Sequence, residues 1–298
     1  AGDVNADGFD DVLVSATGFF RGRVYLYLGM AAGLSPSPAW SAEGEFQSNP
    51  GGFGDSATSA GDVNGDGFDD VIIGDPWRDS VGVGSGRAYL FLGSSAGLPA
   101  TPDWTANPAT VNNDWFGQSV ASAGDVNGDG FDDVVIGASG WNGREGRAFL
   151  FLGDPGGLGA TPAWMADPTD QASAEFGDRV SPAGDVNNDG FDDFLVGAHY
   201  WDAAGAISGA GRAHLFLGSA GGPGATPAWV ASSGNYNDQF STSLAAAGDV
   251  NGDGFGDVIV GSPYRIPVGG PSGEGRVWLY LGSASGLDAW SSWASDPA

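Results

Sequence analysis

The sequence predicts an all-β fold, a β-propeller of five tandem four-stranded blades forming one domain over residues 1–298. Three observations support it. The 54 glycines and 17 prolines require many tight turns, because these residues supply the backbone angles that turns need. The 11 Trp, 7 Tyr and 17 Phe exclude a disordered chain, since such side chains must bury large apolar areas. The third observation is a repeat. Gly-Asp-Val-Asn-x-Asp-Gly-Phe-x-Asp occurs five times, its first Asp at Asp3, Asp62, Asp125, Asp185 and Asp249, a period of 59 to 64 residues. A fixed period of that length marks an array of like units.

Each unit resolves into strands in order. The first strand opens on Phe-Gly-x-Ser or a variant: Phe53-Gly54-Asp55-Ser56, Phe116-Gly117-Gln118-Ser119, Phe176-Gly177-Asp178-Arg179 and Phe240-Ser241-Thr242-Ser243. The acidic motif follows as a hairpin loop. The second strand is an apolar run (Val12-Leu13-Val14, Val71-Ile72-Ile73, Val134-Val135-Ile136, Phe194-Leu195-Val196, Val258-Ile259-Val260), and an unbroken run implies burial on both faces, between neighbouring blades. The third is Gly-Arg-x-aromatic-Leu-aromatic-Leu-Gly, as in Gly86 to Gly93, and the fourth a segment at Trp40, Trp104, Trp164, Trp229 and Trp290. Gly, Asn, Asp or Pro bounds each run, and none has the 3.6-residue period of a helix. The units are 1–52, 53–115, 116–175, 176–239 and 240–298. The first enters at Ala1-Gly2-Asp3 and lacks its inner strand, so nineteen strands are expected. Another segment fills the gap, or the five blades belong to a larger ring; closed propellers have about four to eight.

Charge narrows the function. Thirty-seven acids face ten bases, all of them Arg, for a net charge of −27. Such a field repels phosphate backbones and anionic lipid, which argues against nucleic-acid partners and direct membrane insertion. The absence of Cys excludes disulfides, thiolate metal sites and thiol catalysis. No apolar run approaches the ~18 residues of a membrane span, and no signal peptide opens the chain, which reads as a mature form or an excised piece.

The acids concentrate in the repeated loops, which hold 19 of the 37. Numbered from the first Asp, every loop has Asp at 1, Asn at 3, Asp at 5, Gly at 6, Phe at 7 and Asp at 9. Position 8 is Asp10, Asp69, Asp132 or Asp192 but Gly256 in the last loop, and so is dispensable within the molecule. Alternating oxygens at 1, 3 and 5 can converge on one cation around the glycine bend, as in an EF-hand, and position 7 would offer its carbonyl. An EF-hand closes with Glu at 12; here position 12 lies in the apolar strand, so the loop must close at position 9. The candidate ligands are Asp3, Asn5, Asp7, Phe9 and Asp11; Asp62, Asn64, Asp66, Phe68 and Asp70; Asp125, Asn127, Asp129, Phe131 and Asp133; Asp185, Asn187, Asp189, Phe191 and Asp193; and Asp249, Asn251, Asp253, Phe255 and Asp257. Hard oxygen donors without His or Cys select Ca²⁺, about five ions, over zinc or copper. Turn formation alone explains the glycine and one Asp, but not three further ligand-type residues per loop, nor three carboxylates set a few ångströms apart, whose mutual repulsion costs about 1 kcal/mol per pair even in water-like dielectric.

At these residues the chain resembles the FG-GAP repeat family, best known from the β-propeller of integrin α-chains. Phe53-Gly54, the Asp62 to Asp70 loop and Ile73-Gly74-Asp75-Pro76 show the pattern within one unit. The resemblance covers nearly the whole chain. It implies FG-GAP-type blades, calcium held in hairpins between the first and second strands, and an extracellular role in cell adhesion or ligand recognition. The departures are the missing first strand, Phe240-Ser241 for Phe-Gly, and Arg179 for Ser.

Other features are weaker. An aromatic follows each second strand (Phe19, Trp77, Trp141, Trp201, Tyr264), at the end opposite the loops; Trp77, Trp141, Trp201 and Tyr264 are candidates for a face that binds a protein or glycan, set against simple packing. Arg23, Arg87, Arg147, Arg212 and Arg276 recur at the third strand, where pairing with a carboxylate is the expected role. His214 takes a slot held by Tyr25, Tyr89, Phe149 and Trp278 and reads as packing, whereas His199 has no evident partner in the sequence. A lone imidazole makes no triad, so no catalytic residue is assigned. The reading is a secreted or cell-surface calcium-binding module for adhesion, recognition or structure, and the lack of Lys suits a GC-rich bacterial source. The competing readings are a calcium-dependent extracellular enzyme acting on polysaccharide and a surface-fibre subunit.

Overall fold

The computed structural model describes residues 1–18, 21–45, 52–79, 83–108, 113–168, 171–203, 208–264 and 274–295. Phe19 of the sequence reading lies outside them. Among the described residues nineteen strands form five blade-like sheets, the number the repeat count requires. Four sheets have four strands in chain order, and the first has three. The chain is a β-propeller of five blades.

The first strands are Ser56–Gly61, Phe116–Gly124, Arg179–Gly184 and Ser243–Gly248, and the second are Val12–Ser15, Asp70–Asp75, Asp133–Ala138, Asp193–Ala198 and Asp257–Ser262. The third are Arg23–Tyr27, Arg87–Phe91, Arg147–Phe151, Arg212–Phe216 and Arg276–Tyr280; the fourth are Trp40–Glu43, Trp104–Ala106, Trp164–Ala166, Trp229–Ala231 and Trp293–Ser295. Two small ribbons, Gly29–Met30 with Gly33–Leu34 and Gly153–Asp154 with Gly157–Leu158, add to these. The four-residue helical turn Trp141–Arg144 is broken internally by left-handed Asn142 and Gly143.

One alignment needs correction. The fourth strand of the last blade starts at Trp293, not Trp290, because Leu279 pairs with Trp293 as Leu26 does with Trp40 and Leu215 with Trp229. Trp290 stands in the connection before it, 85% exposed.

By contact density the chain forms two compact units, Ala1–Ser122 with Gly130–Ala138 and Phe149–Ala163, and Ala123–Asp129 with Ser139–Ala148 and Trp164–Ala298. The same packing rule builds both. The Phe that opens a first strand is fully buried and meets the third-strand aromatic edge-on. In the first unit Phe53 meets Tyr89 at 5.4 Å and Phe116 meets Phe149 at 5.5 Å. In the second, Phe176 meets His214 at 5.1 Å and Phe240 meets Trp278 at 4.9 Å. Such pairs contribute about 0.5–1.5 kcal/mol beyond the area they bury. His214 thus packs, as its slot predicts. The second strands of the three middle blades are buried at every residue, as expected for strands enclosed on both faces. Those of the first and last blades, each flanked on one side within its unit, leave Val12, Val14 and Ile259 exposed.

Tryptophan ties one blade to the next. The indole N–H of Trp40 donates to the Pro99 carbonyl at 2.7 Å, and that of Trp104 to Gly159 at 3.1 Å. Trp164 and Trp229 donate likewise to Gly224 and Asp288 in the second unit.

Candidate metal centre

The five acidic motifs are the hairpin loops between first and second strands, and in the first blade the turn leading into Val12–Ser15. A bulge precedes three of them: the register shifts by one residue between Ser59 and Gly61, Pro182 and Gly184, and Ala246 and Gly248. Within the second loop, Asp62 Oδ1 accepts from Asp66 N–H at 3.0 Å and Oδ2 from Gly67 N–H at 2.8 Å. Asn64 Oδ1 accepts from Asp66 N–H, and Asp66 Oδ1 from Phe68 N–H. The first, fourth and fifth loops repeat this set at Asp3, Asp185 and Asp249. The side chains at positions 1, 3 and 5 are therefore each held against their own loop by its backbone N–H groups. Gly67, at φ +88°, makes the bend with nothing within 4 Å of a Cβ placed there, so conformation rather than space selects glycine.

Position 9 is the buried hub of the loop. Asp70 Oδ2 accepts from Val63 N–H at 3.0 Å, at the loop's entrance, and Oδ1 from Gly93 N–H at 2.8 Å, at the end of the third strand. Asp11, Asp193 and Asp257 make the same two bonds, and Asp133 accepts from Gly153. Each oxygen keeps a second lone pair. Burial pushes the Asp70 and Asp193 carboxyls up to about 7 despite those donors, and acids of their own loops, Asp66 and Asp62 or Asp185 and Asp189, push the same way. Asp11 is raised for the same reasons. The donor set is thus one of hard oxygens crowded by like charge, and a divalent cation fits it chemically.

Position 8 has a function that the sequence reading missed. Asp69 Oδ2 accepts from Asp3 N–H at 2.7 Å, and Asp132 Oδ2 from Asp62 N–H at 2.8 Å, in each case from the preceding blade. In the second unit Asp192 Oδ2 accepts from Asp125 N–H at 3.0 Å. The backbone completes the clamp, as Asp69 N–H donates to the Asp3 carbonyl and Asp132 N–H to Asp62. Gly61, at φ +76°, admits this carboxylate: a Cβ there would lie 2.0 Å from Asp132 Oδ2. Gly256 keeps only the backbone half, donating to the Asp185 carbonyl at 2.9 Å. The Phe at position 7 also serves its neighbour, Phe131 covering Gly65 and Phe191 covering Gly128.

Family models match along this repeat. An FG-GAP repeat model covers residues 116–151, 176–216 and 240–280, and an FG-GAP-like repeat model covers 3–73. The chain belongs to the FG-GAP repeat family. This FG-GAP chain is 31% identical over 242 residues to integrin alpha pat-2 of Caenorhabditis briggsae, covering 74% of the chain and 18% of that protein. It is 31% identical over 207 residues to integrin alpha-5 of Xenopus laevis (66% and 19%) and 36% over 159 residues to human integrin alpha-IIb (50% and 15%). The chain spans less than a fifth of the length of the curated relatives it matches. A solved structure of BBS1N in complex with ARL6DN, soaked with lead, superposes at TM-score 0.43 and 10% identity, covering 90% of this chain and 66% of that one. That likeness is too loose to inform the site.

The aromatics beyond the second strands have mixed surroundings. Trp77 is 40% exposed, donates its indole N–H to Asp55 Oδ2 at 2.9 Å and lies 5.3 Å from Trp115. The Arg147 guanidinium covers Trp141 at 4.4 Å and that of Arg212 covers Trp201 at 3.5 Å. Tyr264 is half exposed. Three of the repeated arginines meet acids, as expected: Arg23 with Glu43, Arg87 with Glu45 and Arg147 with Asp167. His199 does have partners, contrary to its isolation in the sequence. Its Nδ1 lies 2.9 Å from Asp178 Oδ2 and its Nε2 3.9 Å from Glu175 Oε2.

Proposed function

We propose that this chain is a calcium-stabilised recognition module of an extracellular adhesion protein. One observation carries the metal reading. The same set of oxygen side chains, held by the same backbone bonds, recurs in the loops beside a buried position 9 carboxylate that nearby acids crowd. The side chains at positions 1, 3, 5 and 9 and the carbonyl at position 7 would hold each ion, from Asp3 to Asp11 in the first loop through Asp249 to Asp257 in the last. The bound ion supplies positive charge that offsets the crowding and pins the hairpin, so metal binding and folding are linked.

The adhesive part rests on the likeness to integrin α-chains and on the division of labour within a blade. Loops that set structure lie at one end of the second strand, and partly exposed aromatics such as Trp77 and Tyr264 lie beyond the other. A protein or glycan partner would meet those aromatics. The test of the metal reading is calorimetric titration of chelator-treated protein with Ca²⁺. About five sites are expected, and Mg²⁺, which demands near-ideal octahedral geometry, should bind more weakly. Fewer than two calcium ions per chain would overturn it.

A further inference from the structure

We infer that Glu175, Asp178 and His199 form a second kind of metal site, for a transition ion of the Zn²⁺ class, separate from the acidic loops. The three residues belong to the fourth blade and converge at the end of its second strand remote from the loop. Glu175 and Asp178 flank Phe176-Gly177 on one tight turn, closed by Asp178 N–H donating to the Glu175 carbonyl at 3.0 Å. Gly177 N–H donates to the Gly197 carbonyl at 2.9 Å, which brings that turn against the strand end where His199 follows Ala198.

The geometry suits co-ligands of one ion. One ligand atom from each of the three lies within 4.8 Å of the other two. Among the described residues, no other group of three acids or histidines does so. All three are buried, at 4%, 6% and 9% exposure. His199 Nδ1 makes no hydrogen bond even though Asp178 Oδ2 is only 2.9 Å away. A buried imidazole nitrogen left in that state, directed at a carboxylate without hydrogen-bond alignment, is the second mark of a ligand site. Two ligands at tetrahedral positions around zinc lie about 3.3 Å apart, given bonds of about 2.0–2.1 Å.

Surrounding residues orient the two carboxylates. Arg144 pairs with Glu175 Oε1, leaving Oε2 facing His199. Arg179 Nη1 lies 3.1 Å from Asp178 Oδ2 and donates to the Asp178 carbonyl at 2.7 Å, while Arg179 Nε donates to the Thr242 carbonyl at 3.1 Å. Outer hydrogen bonds of this kind hold metal ligands in place. The donor set separates this site from the loops: an imidazole nitrogen with two carboxylates suits Zn²⁺, whereas all-oxygen loops suit Ca²⁺. The other blades lack the set. The turn carries Trp115 and Gln118 in the third blade and Gln239 and Thr242 in the fifth, and the residue after the second strand is Pro76, Ser139 or Pro263.

Those neighbours supply the test. Glu175→Gln and His199→Ser each install a residue that another blade already carries there, so the fold has a precedent for them. Wild-type protein in millimolar Ca²⁺ is titrated with micromolar Zn²⁺, and bound metal is counted by mass spectrometry after desalting. One zinc per chain is expected, with each variant weakening it at least 30-fold while its melting curve in Ca²⁺ stays within a few degrees of wild type. Co²⁺ replacing Zn²⁺ should add visible absorption that His199→Ser removes. Asp70→Asn, in an acidic loop, should leave the zinc count unchanged. Wild-type protein that retains no zinc, or zinc that persists equally in both variants, would overturn the inference. The calcium reading is tested separately and survives either result.

Discussion

Removing calcium should lower the melting temperature by a calculable amount. Extracellular calcium sites commonly bind at ~10⁻⁴–10⁻³ M. At 2 mM free Ca²⁺ and the tighter end of that range, each occupied loop stabilises the folded chain by RT ln(1 + 20), about 1.8 kcal/mol. Summed over five loops, before any coupling between them, this gives about 9 kcal/mol. Unfolding entropy near 2.1 cal/mol/K per residue comes to about 0.6 kcal/mol/K for 298 residues, so the melt should fall by roughly 14 °C in excess EGTA, or about 3 °C per loop. The assay is scanning calorimetry at fixed ionic strength across a calcium series. The midpoint should rise with the logarithm of free Ca²⁺ and flatten only at low concentration. A midpoint that moves by less than 2 °C between EGTA and 2 mM Ca²⁺ would refute the reasoning, because the crowded carboxylates would then be stable without a counter-ion.

Three further outcomes follow from particular residues. Asp132→Ala removes the acceptor for Asp62 N–H and should cost about 1.5–3 kcal/mol, as for a hydrogen bond to a charged group; Asp132→Asn should recover most of it, and equal losses in chemical denaturation would count against the clamp. Asp70→Asn should bind one calcium fewer and also melt lower in EGTA, because an amide cannot accept from both Val63 and Gly93 N–H; a loss seen only in Ca²⁺ would mean the hub acts through the metal alone. Burial holds the His214 imidazole down at about 3, so the unfolded chain takes up the proton first and stability is lost as pH falls from 6.5 toward 3. His214→Phe, the residue of the third blade, should reduce the acid-side loss by roughly 3 kcal/mol at pH 4, measured as the difference between the two stability–pH curves; parallel curves would show that the ring is not buried neutral.

The blades and their loops could be read from the sequence because each depends on short-range pattern. Apolar runs, Gly-Arg-x-aromatic strings and the Asp-x-Asn-x-Asp-Gly spacing all fit within ten residues, so a period search finds them. The nineteen strands follow from that arithmetic alone. The Trp293 register failed for a related reason: Trp290 and Trp293 are three residues apart, and only the pairing of Leu279 decides between them. His199 looked solitary because its partners stand more than twenty residues away, on the turn that opens the same blade.

Position 8 shows a deeper limit on reading repeats one at a time. Gly256 made an aspartate there look optional, because a loop that closes without it needs it for nothing inside its own blade. Its hydrogen-bond partner lies 66, 70 or 67 residues back, in the preceding loop. The glycine before the first three motifs was equally opaque, since what it avoids there is the neighbour's carboxylate. The glycine stays while the space around it follows position 8: a Cβ at Gly2, Gly61 or Gly124 would strike Asp69, Asp132 or Asp192, whereas one at Gly184, opposite Gly256, would meet nothing within 4 Å, and there only its φ of +70° calls for glycine. A cation bound at positions 1 and 5 of the first three loops therefore sits against a loop whose first N–H is held by the next blade. Loss of metal from one loop should for that reason loosen the clamp on its neighbour as well, making the calcium sites positively coupled along the chain. A Hill coefficient above 1 in the calcium titration, falling toward 1 in Asp132→Ala, is the expected signature, and strictly independent sites would refute it.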